Sequence, residues 1–299
     1  MSKQGAQDRA MPTPTNPQHE HPNTYIVQDR SNEDGLKRLA TQDQMLTTSM
    51  GGVLPEQPDP ARFQRVLDVG CGTGGWLIEA AKAYPSMSLL IGVDASGRLL
   101  DYARAQAEAL QVSDRVEFHV MDALRMLEFP TDFFDLVNMR FGMSFLRTWD
   151  WPKLLQEFQR VTRPGGIVRV TEPEMLSESN SPAHMRLQQL NVQAAHQAGL
   201  SFAPDGKGVL SEVPRLLRQH GLEQVQTRAY ILEYRSGTPE GQLFVEDSTR
   251  VFRTVLPFLR KWIHVPDDYE AIYQQMLAEI HQPDFVATWK MVTAWGSVA

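Results

Sequence analysis

The sequence predicts an α/β fold built on a Rossmann-like doubly wound sheet. The sheet is expected to be mostly parallel, with an antiparallel C-terminal strand pair and helical lid insertions. Three observations predict this. Short apolar runs alternate with helical stretches from Arg65 to Glu174, the pattern of parallel strands joined by crossover helices. An apolar run ending in an aspartate leads straight into four glycines within six residues, "VLDVGCGTGG" (66–75). Two long β-prone runs, "LEQVQTRAYILEY" (222–234) and "FVATWKMVTAWGSV" (285–298), suit antiparallel pairing.

The elements follow in order. Ser31 is placed to cap a helix running to about residue 50, with Glu33 and Asp34 in its first turn and Leu36, Leu39, Leu46 and Met50 on one face. "RVLDV" (65–69) is a strand, followed by the glycine loop and a helix, "WLIEAAKAY". "SLLIGVD" (88–94) is the second strand, and Ser96 caps the helix after it. "RVEFHVMD" (115–122) alternates at period two, and Asp122 is placed to cap a helix over "ALRML". "FDLVNMRF" (134–141) is the fourth strand. The helix "WPKLLQEFQRVTRPGG" is expected to stop at Pro164 and its glycines, and "IVRVTEPE" (167–174) is the fifth strand. Then the alternation breaks. A helix begins near Pro182 and stops at Gly199, another ends in "LLRQHG", and helical stretches run from Pro239 to about 281 with an interruption at Pro257.

Composition narrows the function classes. The chain has 299 residues, 42% of them apolar, and a net charge of −7. An acidic chain is a poor general nucleic-acid binder, because phosphate recognition needs a basic surface. The single cysteine, Cys71, excludes a disulfide framework and any multi-cysteine metal site, and no metal is expected. No apolar run is long enough to span a membrane, and the polar, Pro-rich N-terminal stretch lacks the apolar core of a signal peptide, so a cytoplasmic protein is expected.

Gly70, Gly72 and Gly75 satisfy G-x-G-x-x-G, and the same loop also reads G-x-G-x-G through Gly74 with Asp68 two residues before it. Both patterns present backbone N–H groups to an anionic or polar ligand at a strand-to-helix turn. Asp94, at the end of the second strand, is placed to accept the hydroxyls of a ribose in any adenosyl ligand. Asp122, at the end of the third, puts an acceptor beside an adenine amino group.

With these residues together, the sequence resembles the class I S-adenosylmethionine (SAM)-dependent methyltransferases of the small-molecule branch, akin to those of quinone biosynthesis. The resemblance rests on "VLDVGCGTGG" (66–75), "GVDAS" (92–96), "VEFHVMDAL" (116–124), "FDLVNMRF" (134–141), "RPGG" (163–166) and "MVTAWG" (291–296), and "TYIVQDRSNEDGLKRLATQ" (24–42) resembles an N-terminal helix that covers the cofactor in many relatives. It implies SAM as cofactor, held by the loop of Gly70, Cys71, Gly72, Thr73 and Gly74, by Asp68 at the ammonium, by Asp94 and Ala95 at the ribose, and by Asp122 and Ala123 at the adenine. Arg140 and Phe141 would lie near the sulfonium, and Tyr25 and Gln42 would close over the carboxylate. The implied organisation is a flexible tail over 1–22, a lid helix over 23–52 and a SAM-binding core over 53–173. An inserted lid helix over 174–199, continued core over 200–236, a helical insertion over 237–283 and a closing strand over 284–299 complete it.

One departure stands out. Relatives often read R-x-x-L-x-H-L after the fourth strand, whereas "RFGMSFL" (140–146) puts Phe145 where the histidine would stand. Gly142 and Phe145 therefore suggest an apolar acceptor region with spare room, and a base must come from elsewhere. The candidates are Glu172 and Glu174 at the end of the fifth strand and His184 and His196 on the inserted helix, each with a structural reading beside it. Trp149, Trp151 and Trp262 are either core residues or the lining of an aromatic acceptor pocket. The expected activity is methyl transfer to a small, apolar or aromatic acceptor, by a protein compatible with a homodimer. A SAM-binding protein without transferase activity and a nicotinamide-dependent dehydrogenase are the alternatives. A nucleic-acid methyltransferase is disfavoured, because "NMRF" (138–141) is not an N/D-P-P-Y-like motif.

Overall fold

The computed structural model describes residues 33–299. The expected tail, the start of the N-terminal helix and Tyr25 lie outside the described residues. Strands β1 (Arg65–Val69), β2 (Leu89–Asp94), β3 (Val116–Val120), β4 (Phe134–Arg140) and β5 (Thr162–Pro173) form the parallel part of one sheet. Strand β8 (Val286–Ser297) runs antiparallel to β5 on one side and to β7 (Glu223–Arg235) on the other, with the two-residue β6 (Glu178–Ser179) beside its start. The order across the sheet is β3-β2-β1-β4-β5-β8, ending in β7, so the expected doubly wound sheet with an antiparallel C-terminal pair is present.

Both faces of the central strands are covered, which is why they read as continuous apolar runs rather than strict alternations. Val66, Leu90, Leu136 and Ile167 pack on one face with α2 (Gly75–Ala83) and α3 (Gly97–Ala109). Leu67, Ile91, Val137 and Val168 pack on the other with α4 (Trp151–Val161), whose Trp151, Leu154, Leu155, Phe158 and Val161 form one buried stripe at helical spacing. Outside the alternation, α1 (Glu33–Ser49) packs on α7 (Pro239–Thr254), and α5 (Pro182–Gln197) packs on α8 (Leu256–Trp262) and α9 (Tyr269–Ile280). Helix α6 (Val209–Gln219) leads back into the sheet through β7.

Local signals set the helix starts. Ser96, Ser181 and Thr238 each accept a backbone N–H three residues on, at 3.4, 3.0 and 3.0 Å. Two elements differ from expectation. Helix α4 ends at Val161, and Thr162 already pairs with Phe134, so "TRPGG" belongs to β5. No helix forms over "ALRML". Leu127 donates its N–H to Glu157 at 2.9 Å, and Arg160 takes the Leu127 and Phe129 carbonyls at 2.7 and 2.8 Å, so side chains of α4 satisfy this backbone instead.

Candidate functional site

The glycine loop sits at the carboxyl end of β1, where the strand order reverses between β1 and β4, the place where doubly wound sheets bind ligands. The loop is anchored from below: Gly70 and Cys71 donate their N–H groups to the Val93 carbonyl at 2.8 and 3.0 Å. Gly74 starts α2 at φ +74°, and a Cβ there would stand within 2.9 Å of Phe118 and Ala103. Gly72 differs. It lies at φ +56° and a Cβ there would meet no atom within 4 Å, so the backbone at this point faces open space. The backbone at Gly72 therefore leaves room for a ligand.

A cavity of about 220 Å³ opens above the loop. Asp68, Gly70, Cys71, Gly72, Thr73, Gln42, Arg140 and Phe141 line it. These eight expected residues are therefore brought to one space. Asp94 and Asp122 do not line it. The Asp94 carboxylate accepts the Gly72 N–H at 3.1 Å and the Ser96 N–H at 2.9 Å, tying the glycine loop to the start of α3. Asp122 accepts the Leu124 N–H at 2.9 Å and closes a turn. Gly74, Ala95 and Ala123 also lie outside the lining.

Asp68 forms the cavity floor and heads a buried polar chain. Its Oδ1 accepts from the Asn138 amide at 2.7 Å, Asn138 Oδ1 accepts from Arg169 at 2.7 Å, and Arg169 Nε donates to Glu56 at 2.7 Å. Burial pushes the Asp68 carboxyl up to about 7 despite the Asn138 hydrogen bond and Arg169. Burial likewise pushes the Cys71 thiol well above its ordinary range, so it is no thiolate at neutral pH.

The opposite wall comes from the helical additions and the end of β4. Phe141 lines the cavity in the left-handed conformation, φ +59°, uncommon for a bulky residue and held by its N–H to the Thr171 carbonyl at 3.1 Å. Its ring leans on Trp289, centroids 5.9 Å apart. The expected spare room at Gly142 and Phe145 is not there. A Cβ on Gly142 would stand within 2.9 Å of Met139 and Leu146, and Phe145 packs against Gly70. Gly142 is small because the turn is tightly packed.

None of the four candidate bases lines the cavity. Glu172 is fully buried and accepts the Gly142 and Met143 N–H groups at 2.6 and 3.2 Å, so it holds the turn that carries Phe141, Met143 and Ser144. Glu174 accepts the Gly208 and Val209 N–H groups at 3.3 and 3.4 Å and anchors the start of α6. His184 is buried among Phe244, Phe252 and Phe285, with Nδ1 3.0 Å from the Ser179 hydroxyl. His196 lies in the last turn of α5 with a buried Nδ1 that has no hydrogen-bond partner among the described residues. Trp149 is largely exposed, Trp151 is core, and neither they nor Trp262 line the cavity; Trp289 does.

Sequence reasoning missed Arg38, Asp43, Asn191 and Trp289, all of which line the cavity. Asp43 pairs with Arg140 and lies against Gly75, where a side chain would displace it. The one sequence signal was the polar pair Arg38 and Gln42, one helical turn apart beside the apolar Leu39 and Leu46.

The buried acids make stability pH-dependent. Burial raises Glu172 to about 8, while Asp68 stands at about 7; unfolded, they titrate near 4.5 and 3.8. Between those limits the folded state binds more protons than the unfolded state, so stability falls as pH rises. His184, lowered by burial from 6.5 to about 4, works in the opposite sense below 6.5. Above about pH 6.5 the acids prevail among these three groups, so the melting temperature should decline toward about pH 8.5. Asp68→Asn should flatten the decline. A melting temperature that holds steady or rises over that range contradicts the assignment.

Comparison with known proteins agrees with this geometry. A family model described as a methyltransferase domain matches residues 66–166, from β1 through the start of β5. The chain is 26% identical over 222 residues to a probable methyltransferase, ltbC, of Aspergillus luteorubrus, covering 71% of this chain and 77% of that one. It is 39% identical over 100 residues to a demethylmenaquinone methyltransferase of Lactiplantibacillus plantarum, a match spanning 33% of this chain and 41% of the relative. Among solved structures, a phosphoethanolamine N-methyltransferase of Haemonchus contortus superposes with a TM-score of 0.52 at 20% identity, over 91% of this chain and 60% of that one. The YcgJ protein of Bacillus subtilis gives 0.50 at 18% identity, over 87% and 99%. These two likenesses concern the fold.

Proposed function

We propose that the chain is a class I SAM-dependent methyltransferase, and that it methylates a small, largely apolar acceptor held beneath its helical additions. The observation that carries this is a single cavity with two kinds of wall. The glycine loop and Asp68 form one, and Leu39, Leu46, Met143, Met175, Val251 and Trp289 contribute to the other. SAM supplies an electrophilic methyl group on a sulfonium.

In this reading the open face of Gly72 receives the methionine portion of the cofactor. Asp68 faces its ammonium, and ionises as that charge arrives. Asp94, already fixing the loop, turns its carboxylate edge to the ribose. Helices α1, α5 and α7 act as the lid, and Phe141 and Trp289 set the approach of the acceptor. Such positioning is worth about 7–11 kcal/mol of barrier when the reacting atoms are held in line and water is kept out.

The base is the informative gap. The ionisable side chains lining the cavity among the described residues are Arg38, Asp43, Asp68, Cys71 and Arg140. Asp43 is engaged by Arg140, and Asp68 belongs to the cofactor side. We therefore read the acceptor as nucleophilic in its own right: an amine, or an enol or phenol acidic enough to give its proton to solvent before transfer, rather than a plain alcohol. No described helix is long and apolar enough to cross a membrane, and with one cysteine in the chain a cytoplasmic setting is part of the same reading.

The test is turnover. The purified protein, given SAM and fractionated small-molecule extracts, should release S-adenosylhomocysteine only with fractions that partition into organic solvent. Tight SAM binding with no S-adenosylhomocysteine from any fraction would leave a binding protein in place of an enzyme.

A further inference from the structure

The order of the strands divides the cavity. Its lining residues stand at the carboxyl ends of neighbouring strands: the glycine loop follows β1, Phe141, Met143 and Ser144 follow β4, and Pro173 and Met175 lie at the end of β5. Trp289 comes from β8, the next strand across. Strand β8 runs antiparallel to β5 with Met291 opposite Pro173, so Trp289 lies just beyond the carboxyl end of β5. Neighbouring strands are about 4.8 Å apart, which puts Trp289 about 14 Å across the sheet from the glycine loop. With the cofactor on that loop, the end of the cavity at β5 and β8 is left for the acceptor.

That end carries no charge. The charged lining residues are Arg38 and Asp43 of α1, Asp68 of β1 and Arg140 of β4, and the Arg140 guanidinium is held by Asp43 and by the Thr47 hydroxyl at 3.1 Å. Trp289 adds no polar group either. Indole has one, an N–H donor, and Trp289 Nε1 gives it to the Glu174 carbonyl at 2.7 Å. The Glu174 N–H in turn donates to the Lys290 carbonyl at 2.8 Å, so the ring is fixed to the chain just past β5. What the half-buried Trp289 side chain offers the cavity is therefore ring carbon. The Phe141 ring stands next to it, centroids 5.9 Å apart and tilted by 58°. Met143 and Met175 line the same end, and their polarisable sulfur packs favourably against aromatic rings. Ring surfaces attract another ring, stacked or edge to face, by more than buried area alone accounts for.

Resting on the methyl-transfer reading, we propose that Trp289 determines acceptor specificity: its ring surface, beside that of Phe141, selects an acceptor with a flat conjugated ring over a saturated one of equal size. A flat ring lies on the indole or meets it edge to face. A puckered ring of the same carbon count buries similar area but has no π surface to present.

The probes are acetophenone and cyclohexyl methyl ketone, neutral ketones of equal carbon count that differ in the flatness of the ring. Binding of each is measured by calorimetry on full-length protein saturated with S-adenosylhomocysteine. The wild type should bind acetophenone at least about fivefold more tightly, the scale of one to two ring contacts. Trp289→Leu keeps an apolar side chain and should bring the two probes within about twofold of each other, with S-adenosylhomocysteine affinity unchanged. Trp289→Phe should retain the preference. Both variants lose the hydrogen bond to the Glu174 carbonyl, so the difference between them reports the ring. The proposal is overturned if the wild type binds the two probes within about twofold, or binds neither at about 10 mM; this comparison needs no variant and stands even where a substitution unfolds the chain. It is also overturned if Trp289→Leu keeps the preference, if Trp289→Phe loses it as fully as Trp289→Leu, or if Trp289→Leu loses S-adenosylhomocysteine affinity. Failure of the wild type to bind S-adenosylhomocysteine at all would overturn the methyl-transfer reading and this specificity with it, whereas intact binding without the preference sinks the specificity alone.

Discussion

Gly72→Val should abolish SAM binding while leaving a folded protein. The backbone there has φ +56°, a region a β-branched residue enters only under strain, and the added side chain would project into the open space in front of the loop. Strain of this kind costs about 1–3 kcal/mol of stability, too little to unfold an ordinary domain. Binding suffers both the filled space and the shift of the loop, so affinity should fall by at least about 100-fold, or 2.7 kcal/mol. The wild type should gain about 2.7 kcal/mol at 100 times its Kd, and the variant should gain no more than about 0.4 kcal/mol under the same conditions. Gly72→Ala, with the same φ and a single methyl, should fall between. Thermal melting and calorimetry with and without SAM settle it. Near wild-type affinity in folded Gly72→Val would mean that the open space is not where the cofactor lies.

Arg169→Met should have the largest effect on stability. Arg169 and Glu56 pair with both side chains 1% exposed, and burial, which alone would raise Glu56, is overridden by the guanidinium. Removing one partner leaves a buried carboxylate unpaired, a loss of about 3–5 kcal/mol. At about 2–4 °C per kcal/mol for a chain of this size, the melting temperature should fall by roughly 6–20 °C. Asn138 also loses its donor, so Asp68 loses the support that orients it, and SAM affinity should drop as well. Adding Glu56→Leu should recover much of the stability, because two apolar groups leave no stranded charge, but should not recover the Asp68 alignment. A single-variant loss below about 1 kcal/mol in urea unfolding would show that water reaches the pair.

What the sequence disclosed follows from which interactions are local. Runs such as "RVLDV" and "SLLIGVD" gave their strands directly, and Ser96 gave the start of α3, because burial on both faces and a cap hydrogen bond are written into adjacent residues. "ALRML" misled, since its backbone is satisfied by Glu157 and Arg160 about thirty residues away. The same division runs through the site. The glycine loop was legible because its geometry is a property of its own residues. Arg38, Asp43, Asn191 and Trp289 come from three other elements, and nothing in the adjacent sequence says that they meet over that loop. Glu172 and Glu174 stood where catalytic carboxylates often stand. Their oxygens are spent on the backbone amides of Gly142, Met143, Gly208 and Val209, which only the folded chain could reveal.

Strand β8 lies between β5 and β7, yet it is the last of the three along the chain. On the ribosome, therefore, β5 and β7 are synthesised well before the strand that joins them. Some sixty residues separate the end of β7 at Arg235 from the end of β8 at Ser297, a delay of about 3–12 s at ordinary elongation rates. Throughout that interval the nascent chain carries a half-built sheet with open strand edges, the kind of surface that pairs with foreign strands. The arrival of β8 seals both edges in one event, so the time of greatest exposure to aggregation comes just before synthesis of this segment is complete.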